Sequence, residues 1–125
     1  SLINSDTSLL VELSGNLGAG KTTFTQEIAK QLKISEKITS PTFVLMKKYE
    51  IDFGQFKKLV HIDAYRIEDL SDISILNLSE IFADKENLIL LEWPEKIAEI
   101  LPEKKIKVTL EVDGEDREIN ISKNV

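Results

Sequence analysis

The chain has 125 residues, of which 42% are hydrophobic and 30% are charged, a composition typical of one globular domain and not of a disordered chain. Its formal net charge of −6 argues against broad, sequence-independent binding to nucleic acid, which requires a basic surface. The sequence contains no cysteine, which excludes a disulfide scaffold and a thiolate metal site. No apolar run approaches the ~18 residues of a membrane span, and no signal peptide precedes the first strand. We therefore expect a single cytoplasmic domain over residues 1–125.

The first predicted elements are a strand and a helix. Residues 8–13 (SLLVEL) form a short apolar run bounded by polar residues and glycine, which is typical of a buried strand. Residues 21–33 predict a helix, because Phe24, Ile28 and Leu32 recur at four-residue spacing on one face. A glycine-rich segment joins the two, so the strand is expected to run directly into that loop.

Strands and helices continue to alternate along the rest of the chain. Residues 88–91 are the most apolar four-residue run, as expected of a parallel strand covered by helices on both faces. Two alternating segments flank Asp113-Gly114, which is a β-hairpin signal. After the first helix, the predicted strands are residues 43–51, 58–63, 88–91, 106–112 and 117–121, and the predicted helical stretches are residues 66–82 and 94–101.

The segment GNLGAGKTT, residues 15–23, fits the phosphate-binding pattern Gly-x4-Gly-Lys-Thr in the required context of a strand before it and a helix after it. Backbone N–H groups of such a loop surround phosphate oxygens, and the helix N-terminus that follows favours negative charge. The lysine adds a charge near the outer phosphates, and the first threonine hydroxyl can hold Mg²⁺. The predicted nucleotide-binding residues are Gly15, Asn16, Leu17, Gly18, Ala19, Gly20, Lys21, Thr22 and Thr23.

These elements together predict an α/β fold: a P-loop NTPase-like three-layer sandwich with a mostly parallel central sheet and a C-terminal antiparallel hairpin. In such open sheets, ligands gather at the carboxyl ends of the strands. Two carboxylates occupy such ends, Asp63 after residues 59–62 and Glu92 after residues 88–91. We assign Glu92 to Mg²⁺ because its strand is the more apolar and hence the more central, although aspartate is usual there. Asp63 is then the candidate for orienting or deprotonating an attacking water. For either residue the alternative is a structural carboxylate at a strand end or a helix cap.

Several other polar residues have less specific patterns. His61, the only histidine, shares a strand face with Asp63 but is more typical of a hydrogen-bonded structural residue. Thr42, in the loop after the first helix, fits a γ-phosphate-sensing threonine and a plain turn equally well. Arg66 fits a phosphate contact or a salt bridge, and Trp93 favours packing over base stacking.

The nature of the reaction follows from what the sequence lacks. The guanine-reading Asn/Thr-Lys-x-Asp pattern is absent, which favours ATP over GTP. A small-molecule kinase usually needs an arginine-bearing lid, whereas this chain has only Arg66 and Arg117. We therefore favour ATP hydrolysis with Mg²⁺; a small-molecule kinase and a non-hydrolysing nucleotide-dependent switch remain alternatives.

Four segments in order give the chain a resemblance to a known family. They are GNLGAGKTTF at residues 15–24, SPTF at residues 40–43, HIDAYR at residues 61–66 and EWPE at residues 92–95. This combination resembles the TsaE (YjeE) family of bacterial P-loop ATPases over nearly the whole chain. The P-loop alone would not be specific, but the four segments together are.

The resemblance implies a role in making threonylcarbamoyladenosine, a tRNA modification next to the anticodon. Such proteins hydrolyse ATP and act with TsaB and TsaD, the latter performing the transfer, so that tRNA is handled indirectly through the complex. The resemblance also implies Mg²⁺ on Thr22 and Glu92, importance of Asp63 for activity, and a switch-like loop at Thr42. The predicted catalytic set is Asp63, Glu92, Lys21 and Thr42. Thr22 is predicted to bind the metal and is not part of that set.

Two features depart from the family pattern. Asn16 stands where the family commonly has aspartate, which removes a charge beside the loop but leaves its backbone N–H groups in place. Family members also usually carry a further N-terminal segment that helps to form the site for the nucleotide base. The resemblance therefore predicts that this chain begins later than other family members do. It does not identify which residues contact the nucleotide base.

Overall fold

The computed structural model describes residues 8–15, 21–34, 46–64, 78–102, 105–113 and 116–124. In chain order the described elements are β1 (Leu9–Gly15), α1 (Lys21–Gln31), β2 (Met46–Phe53), β3 (Phe56–Asp63), α2 (Leu78–Ala83), β4 (Asn87–Glu92), a 3₁₀ helix (Pro94–Ile100), β5 (Lys105–Asp113) and β6 (Asp116–Asn124). None of the described helices is long and apolar enough to cross a membrane.

The six strands form one mixed sheet in the order β2-β3-β4-β1-β5-β6. The three inner pairings, β3 with β4, β4 with β1 and β1 with β5, are parallel. The two outer pairings, β2 with β3 and β5 with β6, are antiparallel. The mostly parallel sheet with a C-terminal antiparallel pair confirms the predicted fold class, and the β2–β3 hairpin adds a second antiparallel pair at the opposite edge.

Each face of the sheet contributes to a separate apolar core. One core joins the α1 residues Phe24, Ala29 and Ile28 to Leu13 and Leu90 of the inner strands. The other core lies on the opposite face, where α2 and the 3₁₀ helix cover residues such as Leu10, Ile62, Ile89 and Leu91. All six residues of β4 are buried, as expected of a strand with helices on both sides.

Where both ends of a predicted element are described, its boundaries agree with the observed ones to within a few residues. The first part of the predicted helical stretch 66–82, residues 66–77, and the predicted start of the strand at residues 43–45 lie outside the described residues. The turn between β2 and β3 is tighter than expected, because β2 extends to Phe53 and leaves only Gly54 and Gln55 between the strands. Gly54 has φ 60°, a value that suits a two-residue hairpin turn and favours glycine. The segment that begins at Pro94 is helical as predicted but of the 3₁₀ type, and it kinks at Ile97.

Helix α1 ends in a Schellman motif with lysine where glycine is usual. The Ile34 N–H donates to the Ala29 carbonyl at 3.0 Å and the Lys33 N–H donates to the Lys30 carbonyl at 3.1 Å. Lys33 takes the left-handed conformation between them, with φ 61°. A residue with a Cβ is strained by about 1 kcal/mol in this conformation, whereas glycine is not.

Replacing Lys33 with glycine is therefore expected to raise the free energy of unfolding by about 0.5–1 kcal/mol. Urea denaturation measures this change. Lys30→Gly is the matched control, because Lys30 lies inside α1 and the same substitution there should lower the free energy of unfolding by about 1 kcal/mol. A loss of stability in Lys33→Gly equal to that of the control would contradict the strain argument.

Candidate functional site

The carboxyl ends of three adjacent strands meet at one edge of the sheet. Strand β4 lies between β1 and β3, and Glu92 is in register with Leu13 on one side and with Asp63 on the other. Parallel strands lie about 4.8 Å apart, so the two acidic residues are direct neighbours across the β3–β4 pair. The Ala64 N–H continues this pairing by donating to the Glu92 carbonyl at 3.1 Å.

Strand β1 brings the beginning of the glycine-rich segment to the same edge. It ends at Gly15, two residues beyond Leu13, and Gly15 has φ 148°, a conformation that strongly favours glycine. Helix α1 then begins at Lys21 and packs Phe24 on the sheet face that carries Leu13. The strand, the connecting segment and the helix N-terminus thus have the order that a phosphate-binding loop requires.

The structure places only part of the predicted nucleotide and catalytic set. Lys21, Thr22 and Thr23 open helix α1, and Asp63 and Glu92 end adjacent strands, as expected. Thr42 and the loop residues Asn16, Leu17, Gly18, Ala19 and Gly20 lie outside the described residues, as do Tyr65 and Arg66.

Glu92 is the buried acidic residue of this edge. It is 6% exposed, whereas Asp63 is half-buried, which agrees with the more central position of β4 in the sheet. Its Oε2 atom lies 2.7 Å from Nε2 of His61, which is 2% exposed. An ionised carboxylate can only accept a hydrogen bond, so we assign the hydrogen to Nε2. His61 is hydrogen-bonded, as its pattern predicted, but sequence reasoning did not identify Glu92 as the partner.

Trp93 gives this edge a second unusual feature. It follows Glu92 directly and has φ 58° and ψ 52°, in the left-handed region that a bulky residue rarely occupies. The side chain is half-buried and packs against the core on the α2 face, and Pro94 then begins the 3₁₀ helix. Such strain costs about 1–3 kcal/mol and is concentrated at functional sites, which supports a functional role for the turn that follows Glu92.

The donor set at this edge fits Mg²⁺ bound together with nucleotide phosphates. Among the residues that the structure describes, no three His, Cys, Asp or Glu side chains form a metal-binding cluster. Mg²⁺ does not need one, since it commonly takes one or two protein oxygens along with phosphates and waters. A buried carboxylate at the end of a central strand, paired with the strand that precedes α1 in the chain, is the kind of oxygen donor that such a site uses.

The comparisons with known proteins agree in pointing to one family. The family model described as "Threonylcarbamoyl adenosine biosynthesis protein TsaE" matches residues 2–119. A Bacillus subtilis protein named tRNA threonylcarbamoyladenosine biosynthesis protein TsaE is 39% identical, over 90% of this chain and 68% of its own. The Haemophilus influenzae protein of the same name is 31% identical, over 98% of this chain and 79% of its own. The crystal structure of Bacillus subtilis YdiB superposes with a TM-score of 0.72 at 32% identity, covering 99% of this chain and 74% of that one.

Proposed function

The chain belongs to the TsaE family, and from this membership and the strand-end site we propose that it is a Mg²⁺-dependent ATPase serving threonylcarbamoyladenosine biosynthesis. The single observation that carries the ATPase proposal is the buried Glu92 at the end of β4, in register with Asp63 and with the strand that leads to α1. This arrangement puts two carboxylates with different exposure at one edge, which suits two different roles.

We propose one role for each residue of the predicted site. The backbone of residues 15–20 and the N-terminus of α1 bind the phosphates, and Lys21 adds a positive charge there. Thr22 and Glu92 hold Mg²⁺, which when bound neutralises charge on the phosphate oxygens. The more exposed Asp63 orients the attacking water and accepts its proton. Thr42 senses the γ-phosphate from the loop after α1.

The partners follow from the family and not from the geometry. We propose that the protein acts with TsaB and TsaD in the cytoplasm, and that tRNA is contacted mainly by those partners. The formal net charge of −6 supports an indirect contact with tRNA, because a protein that binds nucleic acid on its own usually presents a basic surface. The transfer of the threonylcarbamoyl group is assigned to TsaD.

The test of the enzymatic proposal is phosphate release from Mg²⁺·ATP by the unmutated protein, alone and with TsaB and TsaD. We expect turnover that requires Mg²⁺ and increases in the presence of the partners. Tight nucleotide binding with negligible phosphate release, even with the partners, would favour a non-hydrolysing switch. A phosphorylated small molecule found by mass spectrometry in place of free phosphate would favour a kinase.

The biosynthetic role is tested separately by depleting the protein in its host and measuring threonylcarbamoyladenosine in tRNA. We expect the modification to fall as the protein is depleted, and to recover when the unmutated chain is supplied. An unchanged level would overturn the biosynthetic role while leaving the ATPase proposal intact, because the two rest on different observations.

A further inference from the structure

His61 is a polar residue where the sheet otherwise needs an aliphatic one. It lies in β3 between the buried residues Val60 and Ile62, and it is 2% exposed. Burying a polar ring costs free energy unless the ring is hydrogen-bonded, so an aliphatic side chain would serve packing alone equally well. The Nδ1 atom is buried and makes no hydrogen bond to any described residue. Within the described part of the chain, the polar chemistry of this ring is directed at Glu92 alone.

The contact with Glu92 is not a consequence of simple cross-strand adjacency. The residue in register with His61 on β4 is Leu90, and Glu92 lies two positions, about 6.6 Å, further towards the carboxyl end. The ring and the carboxylate must therefore lean towards each other to bring Nε2 and Oε2 to 2.7 Å. This short contact restrains the last side-chain torsion of Glu92, which is otherwise broad.

We propose that His61 is a positioning residue for Glu92. Its Nε2–H group donates a hydrogen bond to Oε2 and thereby fixes the plane of the carboxylate. The other oxygen, Oε1, is then oriented towards a divalent cation held with the nucleotide phosphates. The inference rests on the proposed function, because it assumes that Glu92 holds Mg²⁺. Carboxylates and imidazoles that bind metals are usually oriented by such outer hydrogen bonds, and their loss typically weakens metal binding about 10–100-fold.

The alternative is that His61 only fills the core, and three variants separate the two roles. His61→Leu places an apolar side chain at this position in the core and removes the N–H donor. His61→Gln places an amide N–H near the former position of Nε2 and can restore the hydrogen bond to Glu92. His61→Asn is also polar, but its shorter side chain holds the amide too far back to reach Glu92 in the same way.

The experiment is a Mn²⁺ titration of the ADP-loaded protein followed by electron paramagnetic resonance, which does not depend on turnover. His61→Leu and His61→Asn should weaken Mn²⁺ binding about 10–100-fold, and His61→Gln should restore most of it. The affinity for ADP in EDTA should be the same in all three variants and in the unmutated protein. If His61→Leu does not fold, the comparison of His61→Asn with His61→Gln decides.

Two results would overturn the positioning role and leave the proposed function intact. One is an unchanged Mn²⁺ affinity in His61→Leu or His61→Asn. The other is an equal loss of Mn²⁺ affinity in His61→Gln and His61→Asn that is proportional to the decrease in their thermal unfolding temperatures. If the unmutated protein binds neither ADP nor Mn²⁺·ADP, the proposed function itself fails and the positioning role falls with it. Tight binding by the unmutated protein with no effect of the variants removes the positioning role alone.

Discussion

Replacing Glu92 with glutamine should lower the rate of ATP hydrolysis by about 10²–10³-fold, because a bound metal contributes several kcal/mol to the stabilisation of transition-state charge. Glutamine has nearly the same shape, and its carbonyl oxygen can still accept the hydrogen bond from Nε2 of His61. The amide group that replaces the second oxygen cannot bind a cation. The variant therefore removes the proposed metal ligand without removing a packed side chain, and steady-state phosphate release measures the effect.

Comparison with Lys21→Ala distinguishes the metal from the phosphates. Lys21 begins α1 and is proposed to bind phosphate directly, so its loss should weaken ADP binding both with Mg²⁺ and in EDTA. Glu92→Gln should weaken ADP binding only when Mg²⁺ is present. The matched control is Glu99→Gln, an exposed carboxylate in the 3₁₀ helix, which should leave both measurements unchanged. Full activity in Glu92→Gln would remove Glu92 from the proposed site.

The edge formed by the carboxyl ends of β1, β3 and β4 could be predicted from the sequence, because the patterns that indicate it are local. The apolar run before Glu92 indicates a strand covered on both faces, and the position of Glu92 at the end of that run places it at the edge where open α/β sheets usually bind ligands. Gly15 is equally local, since a glycine before a Gly-Lys-Thr segment marks the beginning of a phosphate loop. Each inference needs only the residues on either side, and the structure bears out the strand and helix boundaries that they imply.

The contact between His61 and Glu92 could not be predicted in the same way. It depends on the register between β3 and β4, strands that are separated along the chain by α2, and no local pattern fixes such a register. The alternation of residues predicted correctly that His61 shares a face with Asp63. Because the in-register partner of His61 is Leu90, adjacency alone would have suggested a different neighbour.

Glu12 shows a signal that sequence reasoning passed over. It is a carboxylate inside the apolar run of β1, and in the structure it is 5% exposed, on the sheet face opposite to Leu13 and Glu92. Its Oε2 atom lies 2.9 Å from Nζ of Lys105 at the start of β5, but without the alignment of a hydrogen bond. A charged residue in a central strand implies a nearby partner of opposite charge, although the sequence does not say which lysine supplies it.

Replacing Lys105 with methionine should lower the free energy of unfolding by about 3 kcal/mol, because removal of one partner leaves a buried charge uncompensated. Methionine keeps the length of the lysine stem, so the loss is electrostatic and not a cavity. Urea denaturation measures the change. The matched control is Lys57→Met, which breaks the exposed pair between Lys57 and Asp52 and should lower the free energy of unfolding by less than about 1 kcal/mol.

The double variant Glu12→Leu/Lys105→Met tests whether an apolar pair can replace this buried ion pair. Burying a charge pair costs solvation energy that its attraction only partly offsets, so an apolar pair of similar size should restore the stability lost in Lys105→Met. The two substitutions are therefore expected to be strongly non-additive, which a double-mutant cycle measures directly. A Lys105→Met variant no less stable than Lys57→Met, or a double variant that is the sum of its parts, would show that the pair contributes to folding only as a surface pair does. Because Glu12 and Glu92 lie on opposite faces of the sheet, Mg²⁺-dependent ADP binding well below the unfolding midpoint should be unchanged in the double variant.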